Sequence, residues 1–200
     1  MKAEETSWIA GRKKALNQLQ EHMSQGRVDE DIIWLLNIIN SNQNLYTTSS
    51  CSGRIQVAAS PLPGDKGIMR ILAKWHRKIS PIELELVVTS TKEPNIWFAV
   101  HPPIFHIAAK DLETAKTVLN IARNNGFKHS GIQGMGKRYI VEIMSMEKLE
   151  TPLRLNGIEM ISVENYPYLV DAANKMLEKA KNRLKPLGDA FLSLIEKGED

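Results

Sequence analysis

Cysteine is nearly absent: Cys51 is the single one in 200 residues. One thiol can form neither an intramolecular disulfide nor a multi-cysteine zinc site, which points to a reducing, cytosolic compartment. Long apolar runs are missing too. No stretch approaches the roughly 20 residues needed to span a bilayer. The opening MKAEETSWIAGRKKALNQ scatters charges where a signal peptide would carry its apolar core. The expectation is a soluble, cytoplasmic protein. Charge of one sign is also scarce, with 26 basic against 23 acidic residues and a net charge of +3. That balance permits nucleic-acid binding through a local patch without demanding it. What is present is ordinary globular composition, 42% hydrophobic and 24% charged, which excludes wholesale disorder. The length suits one domain over residues 1–200, large enough to bury a core unaided.

The periodicity predicts two helices in the first forty residues. Ile9, Leu16, Leu19 and Met23 share one face, with Gly26 as the stop. Asp29 is placed to cap a second helix carrying Ile32, Leu35, Leu36 and Ile39. Strand-like segments follow at 45–48 and 54–59, flanking a serine-rich run, then a loop over 60–67 and a strand over 68–77. Ser80-Pro81-Ile82-Glu83 has the capping-box pattern and predicts a helix to about Ser90, although Ile82, Leu84, Leu86 and Val88 alternate as a strand would. Strands at 95–101 and 104–109 bend at Pro102-Pro103. Asp111 caps a helix ended by Gly126, strands lie near 130–133 and 139–145, and Asn156-Gly157 marks a hairpin. The last forty residues read as helix, broken or kinked at Pro186. The fold class is therefore α+β, a mixed or antiparallel sheet framed by N- and C-terminal helices. No early strand leads into a glycine-rich helix start, so a doubly wound Rossmann-type sheet is not expected.

Three clusters can carry chemistry. The run Ser49-Ser50-Cys51-Ser52-Gly53-Arg54 offers hydroxyls, close backbone approach and, in Arg54, a bidentate fork for a carboxylate or phosphate. The same composition also suits a plain polar strand-turn, and Cys51 a semi-buried thiol or a nucleophile. The loop from Gly126 to Arg138 has glycines at 131, 134 and 136 but leads into a strand, so it is no phosphate-on-helix site. It reads either as a flexible hairpin or as a basic loop, Lys128, Lys137 and Arg138, that tracks an RNA backbone. The third cluster is Lys74-Trp75-His76-Arg77, where Trp75 can stack a base while Lys74 or Arg77 holds phosphate. His76, His101 and His106 lack any zinc-ligand spacing, so no metal is expected.

These residues together resemble the tRNA wybutosine-synthesizing protein 3 family of methyltransferases. The matching pieces are VDEDI (28–32), TTSSCSGRI (47–55), His76, Pro102 with His106, GFKHSGI (126–132) and Thr151-Pro152-Leu153. They occur in the family's order over nearly the whole chain. Phe105, before His106, and Ala73 depart from what the resemblance leads one to expect at those places. The resemblance implies transfer of a methyl group from S-adenosylmethionine to the N4 nitrogen of a tricyclic 7-aminocarboxypropyl-demethylwyosine base. That base derives from guanosine 37 in the anticodon loop of phenylalanine tRNA. Ser49 to Arg54, with Ser130 and Gly131, then become the expected cofactor pocket. His76 or His106 would take the ring proton with Asp31 orienting the base, and Lys74, Trp75, Arg77, Lys128, Lys137 and Arg138 would contact RNA. The rival from another class is a non-catalytic RNA-binding adaptor that uses the basic loops and Trp75. A cysteine-dependent enzyme built on Cys51 is a third reading.

Overall fold

The computed structural model describes residues 2–64 and 67–196, so Asp65 and Lys66 of the expected loop lie outside the described residues. In chain order the elements are α1 (Lys2–Ser24), α2 (Ile33–Ser41), β1 (Leu45–Cys51), β2 (Arg54–Ala59) and β3 (Arg70–Trp75). Next come α3 (Pro81–Thr89), β4 (Ile96–His101), β5 (Ile104–Ala109), α4 (Leu112–Asn124) and β6 (Gly131–Gly134). The chain finishes with β7 (Tyr139–Met144), β8 (Leu149–Leu155), β9 (Ile158–Glu159), α5 (Tyr166–Lys181) and α6 (Leu184–Glu196). Helices and antiparallel strands are what the sequence leads one to expect. The strands divide between two sheets, ordered β1-β5-β7-β6 and β3-β2-β4-β8-β9, and every described strand pair is antiparallel. No helix among the described residues is long and apolar enough to cross a membrane.

The chain groups into two compact units. The first takes residues 1–52, 103–146 and 182–200, the second 53–102 and 147–181. In the first unit, Phe105 and Ile107 of β5 and Val141 and Ile143 of β7 are fully buried on one face of the sheet. They pack with Leu35, Leu36 and Ile39 of α2, Ala115, Val118 and Ala122 of α4, and Leu184, Leu187 and Phe191 of α6. Each such aliphatic or aromatic side chain contributes about 1.5–3 kcal/mol on burial. The pleat sends His106 and Ala108 to the opposite face. There α1 covers Tyr46, Ala108 and Ile140 with Trp8, Ala15 and Leu16. Trp8 is thus the inward residue, while Ile9, expected on that face, is 58% exposed. The larger indole, donating to the Gln43 carbonyl at 3.2 Å, fills the space beside Tyr46 and turns its neighbour outward.

In the second unit, Ile55, Val57, Phe98, Val100 and Leu153 form the buried sheet face beneath α3 and α5. Ser80 caps α3 through the full capping box with Glu83, so the helix reading of this segment holds. Leu84 and Val88 face the core at i and i+4, while Ile82 and Leu86 are exposed. Asn156 (φ 51°) and Gly157 (φ 78°) turn the β8–β9 hairpin with both central residues left-handed, as a two-residue turn of this hand requires. Pro186 does not break a helix. The interruption falls at residues 182–183, and Pro186 sits in the first turn of α6, where no intrahelical partner awaits its missing N–H.

Candidate functional site

The serine-rich run is a strand, not a turn. Thr47 to Cys51 continue β1 to its end, and only Ser52 and Gly53 turn, the latter at φ 86°, where glycine is favoured. A bulge at Thr48 shifts the register, so Thr47 pairs with Ile107 and Ser49 pairs with His106. The extra residue re-aims the strand and sets Ser49 directly opposite His106. Thr47 is buried, its backbone N–H and hydroxyl both taken by the Asn40 side chain at 2.8 and 2.9 Å. The turn is held by Asp29. Its carboxylate accepts the Ser52 N–H at 2.8 Å and makes no cap to the following 3-10 turn, so Asp29 anchors the run instead of starting a helix as expected.

A row of polar side chains crosses the first sheet from Ser49. Its hydroxyl lies 2.8 Å from His106 Nδ1, His106 Nε2 lies 2.9 Å from Glu142 Oε2, and Gln133 Nε2 donates to Glu142 Oε1 at 3.0 Å. The register explains the alignment: Ser49, His106, Glu142 and Gly131 are successive partners across β1, β5, β7 and β6. Glu142 accepts only, so it takes the Nε2–H, which leaves Nδ1 as the acceptor for the Ser49 hydroxyl. This is the tautomer of the neutral imidazole, with Nδ1 turned towards Ser49. At Gly131 a side chain would meet nothing within 4 Å, so the row ends in open space.

On its other side Ser49 borders a cleft of about 450 Å³ between α1 and β1. Thr47, Thr48, Ser49 and Ser50 line it together with Lys14, His22, Arg27 and Arg138, and no acidic residue takes part. Arg138 is fixed by Tyr46, whose hydroxyl accepts from Nη1 at 2.8 Å while the guanidinium lies 5.8 Å from the ring centroid.

The remaining expected site residues are spread more widely. Ser130 is buried, and its hydroxyl already donates to the Phe127 carbonyl and accepts the Met144 N–H, which leaves little of it for a ligand. Asp31 is exposed in the 3-10 turn Glu30–Ile32, and its carbonyl accepts from Trp34 Nε1. Cys51 is half-buried at the end of β1. Lys128 and Lys137 are exposed in the first unit. His76, Arg54, Lys74, Trp75 and Arg77 all belong to the second unit. There His76 Nδ1 lies 3.0 Å from the Gly53 carbonyl, Arg54 donates to Gln56, and Arg77 is paired with Glu83 at 2.8 Å. Trp75 is half-buried and packs against the core of that unit. Sequence reasoning missed Glu142, Gln133 and Lys14, which carry no motif. Alternation along β7 alone could have flagged Glu142, the only acid among its apolar neighbours.

S-adenosylmethionine carries a carboxylate, an ammonium and a sulfonium, one net positive charge. The chemistry of the row fits such a group: exposed serine hydroxyls at one end, the Glu142 carboxylate within it and open space over Gly131.

Two antiparallel sheets and a histidine set between serine and glutamate depart from the doubly wound architecture, and the comparisons make the class plain: this is a methyltransferase. A model of the family described as Methyltransferase TYW3 matches residues 10–193, and the chain belongs to that family. Relatives named tRNA(Phe) 7-((3-amino-3-carboxypropyl)-4-demethylwyosine(37)-N(4))-methyltransferase include one from Thermococcus sibiricus, 41% identical over 92% of this chain and 93% of its own length. Another, numbered 2, from Pyrococcus abyssi is 41% identical over 96% and 94%. Among solved structures, the PH1069 protein of Pyrococcus horikoshii superposes with a TM-score of 0.89 at 40% identity, covering 96% of this chain and 98% of that one. A hypothetical protein from Aeropyrum pernix gives 0.75 at 30% identity, covering 84% and 99%.

Proposed function

We propose that this protein methylates the N4 nitrogen of the 7-aminocarboxypropyl-demethylwyosine base in the anticodon loop of phenylalanine tRNA, with S-adenosylmethionine as donor. The observation that carries the site assignment is the hydrogen-bonded row Ser49–His106–Glu142. The donor supplies an electrophilic methyl on sulfur, and Ser49, Ser50 and the surface at Gly131 would hold it. Transfer forms an N–C bond, breaks an S–C bond and releases the ring nitrogen's proton.

This chain's residues handle that proton. The Ser49 hydroxyl donates to His106 Nδ1 and keeps lone pairs free to accept from the ring N–H. As the N–C bond forms, the ring proton passes to Ser49 Oγ and the serine proton to Nδ1. The resulting imidazolium is stabilised by Glu142 on Nε2, and Gln133 holds the carboxylate in place. A general base of this kind contributes about 100- to 10,000-fold, and alignment of the reactants supplies much of the rest. The target base lies in a single-stranded loop, so no duplex has to open for it to reach Ser49.

The test is methylation of precursor tRNA, read by mass spectrometry as the gain of one methyl group. His106→Ala should lower turnover about 100- to 10,000-fold while S-adenosylmethionine affinity, read by calorimetry, holds. Full turnover in His106→Ala removes the histidine from the mechanism, and a wild-type protein that transfers no methyl refutes the function itself.

A further inference from the structure

The cleft beside Ser49 is lined by basic residues and by no acid. Lys14 and Arg27 reach it from α1 and the segment after it, Arg138 from the β6–β7 hairpin, and His22 lies between. The side chains of Lys14, His22 and Arg27 make no hydrogen bond or ion pair among the described residues, although the Arg27 backbone N–H donates to the His22 carbonyl at 2.9 Å. Most other cations of this unit are engaged: Arg12 binds the carbonyls of Asn40 and Leu45, Lys110 pairs with Glu5, and Lys116 with Glu113. Unpaired cations converging on one cleft, with no acid lining it, repel a donor that carries net positive charge and attract a chain of phosphates.

We infer that this cleft is the track for the RNA backbone, with Lys14, Arg27 and Arg138 holding consecutive phosphates so that the neighbouring base falls at Ser49 and His106. The inference rests on the functional reading above and deepens it. It assigns the α1 side of Ser49 to the polyanion and leaves the Glu142 side to the methyl donor. Tyr46 gives Arg138 a fixed pose, so this cation is pre-organised and loses less freedom on binding than a solvated lysine would.

The probe is an unmodified RNA anticodon stem-loop, which has phosphates but no aminocarboxypropyl group. Its affinity for the full protein is followed against salt concentration. Each phosphate contact contributes about 0.7–0.9 to the slope of log affinity against log salt. The double variant Lys14→Ala/Arg27→Ala should therefore lose about 1.4–1.8 from the slope and bind roughly 25- to 60-fold more weakly at 0.1 M salt. The charge-keeping pair Lys14→Arg/Arg27→Lys should restore the slope, and Lys116→Ala on α4 should leave it unchanged. S-adenosylmethionine affinity should be the same in all of them. An unaltered slope in the double alanine variant overturns the assignment, as does a loss of donor affinity in place of RNA affinity. Methyl transfer by the wild-type protein is measured separately, so failure of the cleft and failure of the enzymatic reading are distinct results.

Discussion

Gly188 shows how tightly α6 is laid on α2. A β-carbon at this position would overlap the six-membered ring of Trp34 and come within 3.5 Å of Leu35. Alanine favours a helix over glycine by about 1 kcal/mol, yet here that gain is opposed by overpacking worth about 1–3 kcal/mol. Gly188→Ala should lower stability by up to about 2 kcal/mol in urea denaturation, with quenching or a shift of Trp34 fluorescence. A stabilised variant would show that the indole swings aside freely. At the same scale, the sequence made Ser49 and His106 legible as candidates but not their meeting. They stand 57 residues apart, and the bulge at Thr48 decides which hydroxyl faces the imidazole. Glu142 was illegible for the same reason, since a lone acid in an apolar strand acquires meaning only from the strand beside it. The resemblance to a known family marked the segment around Ser49, whereas the direction of each hydrogen bond had to come from the fold.

Among the elements, α3 is where two local signals competed. Alternating Ile82, Leu84, Leu86 and Val88 argues for a strand, and the capping box argues for a helix. The cap won because Ser80 and Glu83 satisfy helix N–H groups reciprocally while Pro81 fits the first turn. Ser80→Ala should cost about 1 kcal/mol in chemical denaturation, within the range of about 0.5–2 for lost caps, and a cost near zero would show that the box contributes nothing. Glu83 belongs to the same motif. Its hydrogen bonds from the Arg77 side chain and the Ser80 backbone lower its pKa to about 2. Because the folded value lies below the unfolded one, this contribution is present above about pH 4.5 and fades as the pH falls towards 2. Helices were the most legible elements, since caps and spacing are local. Sheet membership was not. β4 and β5 read as strands bent at Pro102-Pro103, but β4 pairs with β2 and β8 while β5 pairs with β1 and β7, and nothing local records those partners.

For the molecule as a whole, one half-buried histidine contributes to the loss of stability in acid. Burial, then the charge of Arg54, lowers the His101 pKa to about 4, and its Nε2 is buried without a partner among the described residues. The unfolded chain takes up the proton near pH 6.5, the folded chain only near 4, so protonation favours unfolding between these values. Stability from this group is complete above about pH 6.5 and is lost progressively down to about pH 4. Urea midpoints measured at pH 7.5 and 4.5 should fall less in His101→Gln than in the wild type. Parallel declines would assign the acid sensitivity elsewhere.

The division of the sequence between the units has a consequence for synthesis on the ribosome. The chain passes from one unit to the other at 52–53, returns at 102–103, leaves at 146–147 and returns at 181–182. The core of the first unit is completed by Leu184, Leu187 and Phe191 of α6. The apolar faces of α2 and β5, made early, therefore stay incompletely covered until α6 emerges. At about 5–20 residues per second, the roughly 145 residues between α2 and α6 take on the order of 10–30 s to be made. Throughout that interval the nascent chain presents the surface that α6 will later hide, and it is then that a chaperone has most to protect.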